Sequence, residues 1–446
     1  MVDFLVVGCG VAGLSVAGFL SEDYDVCVVE RNPKEHIGGD LWAIIGERGY
    51  QRLQNLGAER LETPPVFFDE VRIYDSEGRQ ILEHQTSLVA IELRSLMRAL
   101  IKCYDGFAIV DKTIANSYKI GRDGVIEKLS VCGKKHEVYA PAFVVDASGY
   151  SMFFARRKLQ AENRLLFRHN VFDFFHAEFS DIYKPPDKEA LHIMFSDWST
   201  PGGISITFFQ GDRAKICGFY NRYLSSLPTA RRCNQIKNSL GFFARLLWAR
   251  NRSIILSYPL FCPSYGNVFL VGAATLSVYP IFFSGISQNI GLMAKLPEKI
   301  AEVVERSTTV QETMFEYAKA LIPMLYRGML NDAIRILLVS MRSQDIERIA
   351  DTVLEAMKIL TRHEHVSEGD IFGVVLSLLQ YDRLMHRLSD IAAMFVELYE
   401  VLRKPMGSLL DVNRLAKEFS KRYIKNVSEI VGDLLAEKIV VEDIIK

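Results

Sequence analysis

The sequence has almost no net charge. Its 446 residues carry 53 basic and 54 acidic side chains, which gives a net charge of −1 at neutral pH. Binding to nucleic acid requires a strongly basic surface, so we predict no nucleic-acid partner. The hydrophobic fraction of 49% is that of a globular protein, and the length favours two or three domains.

Closely spaced cysteines are also lacking. The seven cysteines are scattered and none forms a Cys-x-x-Cys pair. An odd, scattered set argues against a disulfide framework and favours a reducing compartment, so we expect a cytoplasmic protein. The first predicted strand begins at Phe4, and this leaves no room before it for a signal peptide.

No charged side chain occurs between Ser253 and Ala294. By charge alone this stretch resembles a membrane span, which needs about 20 unbroken apolar residues. Prolines and glycines interrupt it repeatedly, so the sequence predicts a buried strand, a turn and a helix instead. The interrupting residues are Pro259, Pro263, Gly266, Asn267, Gly272, Pro280 and Gly285.

A glycine-rich turn follows the first apolar run, Phe4–Val7. Gly8 permits a tight turn, Gly10 lets backbone approach a pyrophosphate, and Gly13 lets the next helix pack on the strand. The N–H groups at the start of that helix could bind phosphates. This arrangement is typical of dinucleotide-binding domains.

A carboxylate ends the second apolar run, Val26–Val29. Glu30 stands at the distance from the glycines where an acid accepts hydrogen bonds from ribose hydroxyls. Arg31 could lie beside an adenine or remain a solvated charge. The combined pattern predicts a dinucleotide site, and the alternative is a relic fold that no longer binds.

Two further strand-and-turn segments lie far downstream, FVVDASGYS at 143–151 and VFLVGAA at 268–274. A domain that binds only a nicotinamide cofactor would complete its sheet within about 150 residues. The discontinuous spacing resembles the FAD fold of flavoprotein hydroxylases and reductases. Among these the chain most resembles the geranylgeranyl reductases, especially the archaeal enzymes that saturate isoprenoid chains of membrane lipids.

The resemblance extends over nearly the whole chain. Besides the two downstream segments, it includes STPGGISITFFQGD at 199–212 and LYEVLRKPMGSLLD at 398–411. It implies that FAD is the cofactor and that one set of residues contacts it. That set is Gly8, Gly10, Gly13, Glu30, Arg94, Asp146 and Gly149, and Arg31, Gly272 and Gly285 are further candidates for contact with the cofactor.

The resemblance also implies a substrate site on the aromatic strands. Ile204, Ile206 and Phe208 take the place of the family's aromatic substrate motif, and alternate residues of a strand share one face. Such strands could line an apolar tunnel, although ordinary sheet core is the favoured interpretation for any single Phe. Asp40 is the candidate general acid. His169, His176 and His192 lack metal-ligand spacing and are expected on the sheet surface, and we predict no metal site.

Several positions depart from the family pattern around the flavin. Gly38 replaces the cysteine of the family's Cys-Gly-Asp turn, and Ala273 replaces the Asp of the third motif. Phe282 and Phe283 stand where the family has small residues. Losing the hydrogen bond of one carboxylate costs about 1–3 kcal/mol, so we expect FAD to bind weakly.

The predicted fold is α/β, with a Rossmann-like FAD-binding domain of the flavoprotein hydroxylase and reductase type. It also has an antiparallel-sheet substrate domain and a helical C-terminal region. Within it, the segment 66–85 is predicted to be a hairpin whose two strands flank Ser76–Gly78, and a helix is predicted from about Glu92. The predicted ranges are 1–55, 88–155 and 256–300 for the FAD domain, 56–87 and 156–255 for the sheet domain, and 301–446 for the helical region.

The leading functional hypothesis is reduction of C=C bonds in an isoprenoid lipid or a similar apolar substrate. The alternatives are a non-catalytic paralogue that binds lipid or a partner, and an FAD-dependent monooxygenase. The expected partner is an apolar small molecule or lipid. Peripheral contact with a membrane follows only from that substrate, and the sequence leaves the oligomeric state open.

Overall fold

The structure is a computed structural model. It describes residues 2–39, 41–55, 60–104, 106–122, 124–149, 154, 171–222, 224–255, 264–272 and 285–320, together with positions 393, 429 and 433.

A six-stranded sheet forms the centre of the first layer. Its strands are β1 (Phe4–Val7), β2 (Val26–Val29), β6 (Ala108–Val110), β10 (Phe143–Asp146), β16 (Ser264–Tyr265) and β17 (Val268–Leu270). The order is β16-β17-β10-β1-β2-β6, and every pair is parallel except β16–β17. The central strands β1 and β2 are buried at every position, which is why they read as continuous apolar runs.

Four helices accompany this sheet. They are α1 (Val11–Leu20), α3 (Leu93–Cys103), α5 (Gly285–Arg306) and α6 (Val310–Ala320). Helix α1 is apolar all round and almost wholly buried, because it contacts both α3 and α5 as well as the sheet. Tyr317 of α6 anchors its helix by donating a hydrogen bond of 3.0 Å to the Leu270 carbonyl oxygen.

An eight-stranded sheet forms the second layer. Its strands are β3 (Trp42–Gly46), β4 (Val66–Tyr74), β5 (Gln80–Glu92), β11 (Val171–Tyr183), β12 (Ala190–Met194), β13 (Ile204–Gln210), β14 (Arg213–Asn221) and β15 (Phe243–Ile255). The order is β15-β11-β14-β13-β12-β4-β5-β3, and only the β12–β4 pair is parallel.

Helix α4 (Thr229–Ser239) covers one face of the eight-stranded sheet. Its Cys233 and Ile236 pack with apolar side chains of β11 and β14 in one core cluster. The opposite face carries the side chains that the sequence assigns to substrate. The remaining elements are α2 (Glu47–Asn55), a 3-10 turn at Lys34–His36, and a three-stranded sheet of β7 (Ile114–Ile120), β8 (Ile126–Cys132) and β9 (His136–Tyr139).

The structure confirms the predicted fold class, a Rossmann-like parallel core joined to a largely antiparallel sheet. The hairpin predicted around Ser76–Gly78 is β4–β5, and the helix predicted after it is α3. Strand β3 falls within the range 1–55 predicted for the FAD domain but lies in the eight-stranded sheet. Strand β5 runs across the predicted domain boundary between residues 87 and 88. The domain boundaries stay a prediction, and most of 301–446 lies outside the described residues.

Within the described part of the chain, no helix has the length and apolar character required to cross a bilayer.

Candidate functional site

The candidate site lies where the parallel strands end. The amide of Gly8, just after β1, donates 2.9 Å to the Val29 carbonyl at the end of β2. The amide of Ala147, just after β10, donates 2.9 Å to the Val7 carbonyl at the end of β1. These bonds hold the turns after adjacent strands at one edge of the sheet. Ligands of open α/β sheets bind in the crevice outside this edge.

The glycine turn has the close contacts that a dinucleotide cradle requires. Gly8 has a φ of +106°, and a Cβ there would lie 2.4 Å from the Ala147 carbonyl oxygen. A Cβ on Gly13 would lie 2.0 Å from the Gly8 carbonyl oxygen. A Cβ on Gly10 would instead meet no atom of the described residues within 4 Å, so none of them blocks the approach of a ligand to this backbone. The turn therefore fits a pyrophosphate at the start of α1.

Glu30 is held in a defined position. Its Oε2 accepts 2.8 Å from the amide of Cys9, and its Oε1 accepts 2.8 Å and 2.7 Å from the amide and the side-chain nitrogen of Asn32. The residue is only 7% exposed. A carboxylate offers about four acceptor sites, so these three donors leave about one for a ribose hydroxyl. Asn32 was missed by the sequence reasoning, and its place two residues after Glu30 was the available signal.

Residues near Glu30 complete this end of the crevice. The amide of Thr113 donates 2.9 Å to the Glu30 carbonyl and fixes the start of the turn. Arg31 is exposed beside it. Burial, followed by the charge of Glu30, raises the pKa of the Cys9 thiol to about 12. Cys9 is therefore a protonated, structural thiol at neutral pH.

The turn before β3 brings three distant parts of the chain together. Gly38 has a φ of +87°, and a Cβ there would lie 2.7 Å from the Leu93 carbonyl and 2.8 Å from the Cα of Arg94. The Cβ position of Gly39 lies 3.3 Å from Nη2 of Arg252 on β15. The structure thus places Gly38 beside the predicted site residue Arg94, and it adds Arg252, which the sequence reasoning missed. Asp40 lies outside the described residues.

Asp146 organises the turn that follows β10. Its Oδ1 accepts 3.0 Å from the amide and 2.6 Å from the hydroxyl of Ser148, and its Oδ2 accepts 3.1 Å from the amide of Phe154. Burial raises the pKa of this carboxyl group, and the hydrogen bonds from Ser148 and Phe154 oppose that rise. Asp146 therefore shapes the turn, while Gly149, with a φ of +63° and open space at its Cβ position, presents backbone there.

The third predicted motif is described only at its ends. Gly272 follows β17 with a φ of +60°, and Gly285 is the first residue of α5. The amide of Val271 donates 3.0 Å to the Asp146 carbonyl, which joins this turn to the same edge of the sheet. Ala273, Phe282 and Phe283 lie outside the described residues.

The predicted substrate residues Ile204, Ile206 and Phe208 are buried on β13. Phe208 packs edge-on against Trp42 of β3 at 5.4 Å between ring centroids and against Phe68 of β4 at 5.8 Å. Trp42 directly follows the Gly38–Leu41 turn. The apolar face of β13 therefore lies against Trp42 at the start of β3.

The expectation that His176 and His192 lie on the sheet surface was wrong. Both are buried, whereas His169 lies outside the described residues. The hydroxyl of Tyr74 lies 3.0 Å from Nδ1 of His192, and Nε2 lies 2.7 Å from the Asp187 carbonyl oxygen. Since a carbonyl only accepts, Nε2 carries the proton and Nδ1 accepts from Tyr74. Burial lowers the pKa of His192, and the ring is a neutral part of the core.

Across the described residues, no cluster of three or more His, Cys, Asp and Glu side chains has a geometry that could hold a metal ion.

Several solved structures are similar to this chain in fold. No protein-family model and no curated protein matches the sequence. A geranylgeranyl bacteriochlorophyll reductase-like protein of Thermoplasma acidophilum is similar with a TM-score of 0.64 at 16% identity, over 87% of this chain and 99% of that one. PqsL of P. aeruginosa in complex with 2-aminobenzoylacetate is similar with a TM-score of 0.62 at 18% identity, over 78% and 99%.

A third similar structure is the flavin-dependent brominase Bmp2, with a TM-score of 0.62 at 12% identity over 86% of this chain and 99% of that one. One of these proteins is named as reductase-like and another as a brominase, so the names do not agree on one activity. At these identities the similarity establishes the fold that they share with this chain, and the chemistry has to be argued from the site.

Proposed function

We propose that this protein is an FAD-dependent oxidoreductase that acts on an apolar substrate. The observation that carries the proposal is the crevice at the ends of β1, β2, β10 and β17, where an open Gly10 backbone and a fixed Glu30 carboxylate face the same edge. A solved relative in fold, aklavinone-11 hydroxylase, was crystallised with FAD and aklavinone. It has 17% identity and a TM-score of 0.54, and it supports FAD as the dinucleotide.

Different residues of the chain would bind different parts of FAD. The Gly8–Gly13 turn and the start of α1 would take the pyrophosphate, and Glu30 would accept a hydrogen bond from the ribose. Gly38, Gly39 and Arg94 would border the flavin end. FAD, when bound, supplies the transfer of hydride or electrons. The buried face of Ile204, Ile206 and Phe208 would exclude water from an apolar substrate beside that end.

The finer proposal is reduction of a C=C bond in an isoprenoid lipid. It rests on the resemblance of the Pro201–Gly203 segment and the downstream motifs to geranylgeranyl reductases, and on the reductase-like structural neighbour. Asp40 would donate the proton. Ala273 in place of the family's Asp makes weak FAD binding part of the same proposal.

A second candidate function is an FAD-dependent monooxygenase. PqsL and aklavinone-11 hydroxylase support it as strongly as the reductase-like neighbour supports reduction. The two reactions differ in their second substrate. The monooxygenase consumes oxygen in step with the organic substrate, whereas the reductase works under anaerobic conditions.

The third candidate is a non-catalytic paralogue that binds lipid or a partner through the same shell. The substitutions at Gly38, Ala273, Phe282 and Phe283 favour it. The absorbance spectrum of the purified protein is the first test, because bound flavin absorbs visible light. Failure to bind FAD at millimolar concentration would leave this third function in place of the other two.

A titration with two flavins tests the site directly. FMN lacks the adenosine that Glu30 would contact, so Glu30→Gln should weaken FAD binding by about 5–150-fold and leave FMN binding unchanged. Glu35→Gln, at an exposed position on the next turn, is the matched control and should change neither affinity. Equal losses for FAD and FMN in Glu30→Gln would contradict the assignment of the ribose to Glu30.

A further inference from the structure

One edge of the eight-stranded sheet exposes large apolar side chains. Phe243 and Leu247 on β15 are 63% and 39% exposed, and Tyr183 at the end of β11 is 62% exposed. The rings of Tyr183 and Phe243 are 6.4 Å apart. Isolated exposed apolar residues are ordinary, but several grouped on one edge mark a contact surface. We call these residues, together with Trp248, Arg250 and Arg252, the edge strip.

The strand register puts most of the edge strip on one face of the sheet. Phe243 is opposite Tyr183, Arg250 is opposite His176, and Arg252 is opposite Phe174. Directly opposed residues in antiparallel strands project to the same side. Ala244, Leu246 and Ala249 pack on the side of α4, and a register shift between Glu178 and Phe179 changes the alternation along β15, so Phe243 shares the other side with Arg250 and Arg252. From Phe243 to Arg252 the strip runs about 30 Å, at about 3.3 Å per residue.

Cations accompany the apolar residues. Arg250 lies over the Trp248 ring at 5.5 Å, and Lys184 lies over the Tyr183 ring at 5.6 Å. Arg245 is paired with Asp181 at 2.8 Å, and both side chains are exposed. Among the described side chains of this edge, Lys184, Arg245, Arg250 and Arg252 are basic and Asp181 is acidic, so basic groups outnumber acidic ones here.

This composition favours one partner over another. Antiparallel pairing of β15 with a second copy of itself would bring two sets of arginines together, and like charges on paired strands are destabilising. An anionic lipid surface meets both components, because aromatic rings settle at the level of the head groups and basic side chains are attracted to the acidic ones.

We propose that the edge strip docks the protein on the surface of a membrane that contains anionic lipid. Tyr183 and Phe243 enter the head-group region, and the cations contact acidic head groups. The same face continues to Arg252, whose guanidinium lies beside Gly39 at the candidate site. An apolar molecule leaving the bilayer would thus meet the site from this side. The docking itself does not depend on FAD.

Sedimentation with vesicles tests the proposal. The full-length protein should bind vesicles of phosphatidylcholine with phosphatidylserine, bind vesicles of phosphatidylcholine alone far less, and lose binding as salt rises. Lys184→Gln with Arg250→Gln should lower the affinity about fivefold per cation removed. The double variant Tyr183→Ser, Phe243→Ser should also lower the affinity for these vesicles, at low salt and at high salt alike.

Trp198→Ala is the matched control, because Trp198 is 65% exposed but lies in the loop between β12 and β13. It should leave vesicle binding unchanged, and the circular dichroism spectrum and urea midpoint of each variant report whether the fold is intact. Absence of binding to acidic vesicles, or an equal loss in Trp198→Ala, overturns the proposal. The proposal is also overturned if the protein is a dimer in solution, and if the double variant Tyr183→Ser, Phe243→Ser dissociates that dimer but still binds vesicles. Vesicle binding without FAD binding would refute the proposed function and leave this inference standing.

Discussion

At the scale of single residues, the glycines of the first turn differ in what they do. Gly13 is buried against the Gly8 carbonyl and allows α1 to approach β1. Gly10 has an ordinary φ of −82° and open space at its Cβ position. The first is required by the fold, whereas the second is required only by a ligand.

Gly13→Ala should therefore cost about 3 kcal/mol or prevent folding, since its Cβ would lie 2.0 Å from a carbonyl oxygen. Gly10→Ala is the matched variant. It should cost no more than about 1 kcal/mol of unfolding free energy, because Gly10 is the N-cap of α1 and alanine caps a helix less well than glycine, and it should weaken FAD binding. Urea unfolding and FAD titration of both variants measure the two effects. A stable Gly13→Ala protein would contradict the packing described for α1.

His192 predicts a pH dependence of stability. Its pKa is lowered in the folded protein from the ordinary 6.5, so the unfolded chain binds a proton that the folded chain does not. The stabilisation is fully present above that ordinary value and is lost as pH falls below it and through the lowered pKa of the folded protein. His192→Gln, which does not titrate, should flatten the fall in urea midpoint between about pH 7.5 and 5.5.

The control for His192 is His136→Gln, at an exposed position on β9. That variant should keep the slope of the native protein. If both variants showed the same slope as the native protein, titration of His192 would not contribute to acid sensitivity.

At the scale of elements, α4 is fixed to the eight-stranded sheet by a buried cation. The guanidinium of Arg232 stacks on the Tyr220 ring at 3.4 Å and donates to the Ser199 carbonyl. It also donates 3.1 Å each to the Ser225 hydroxyl and the Leu227 carbonyl. One side chain thus joins α4, β14 and two loops.

Arg232→Met keeps much of the volume but leaves those acceptors without their donor, so we expect a loss of about 2–4 kcal/mol. Arg231→Met, one position earlier and exposed, should change stability by less than about 0.5 kcal/mol. Thermal and urea denaturation measure both. Equal effects would show that Arg232 contributes no more than a surface cation.

At the scale of the whole molecule, the two large sheets are joined through the segment from Gly38 to Trp42. Gly38 packs on the start of α3, Gly39 adjoins Arg252 of β15, and Trp42 lies within the eight-stranded sheet. The chain has three tryptophans, Trp42, Trp198 and Trp248, and all belong to this sheet or to its β12–β13 loop. Their fluorescence therefore reports on the sheet that does not contain the dinucleotide crevice.

If the sheets unfold together, FAD should raise the unfolding midpoint seen by tryptophan fluorescence. At a concentration 100 times its Kd, the gain in unfolding free energy is about 2.7 kcal/mol. Gly10→Ala is the control and should show a smaller rise at the same FAD concentration. If FAD raised the unfolding midpoint measured by circular dichroism but not the midpoint measured by tryptophan fluorescence, the two sheets would unfold separately.

Much of the architecture could be predicted from local pattern. The runs at Phe4–Val7 and Val26–Val29 coincide with β1 and β2, because a buried parallel strand is apolar at every position. Turn glycines likewise marked the β4–β5 hairpin. The sheet to which β3 belongs was harder to predict, because strand pairing depends on distant residues. The histidine prediction failed for the same reason, since the burial of His192 depends on Tyr74 and on the loop at Asp187.

The sequence alone determined the glycine turn, the acid at the end of the second strand and the strand-rich centre, since each is encoded within about thirty neighbouring residues. Tertiary structure decided which residues accompany them. Asn32 and Cys9 fix Glu30, and Arg252 reaches Gly39 from the far side of the chain. It also decided that exposed Phe243 and Tyr183 stand opposite each other. Such juxtapositions come from strand register and sheet order, which depend on the packing of the entire chain and not on any local spacing.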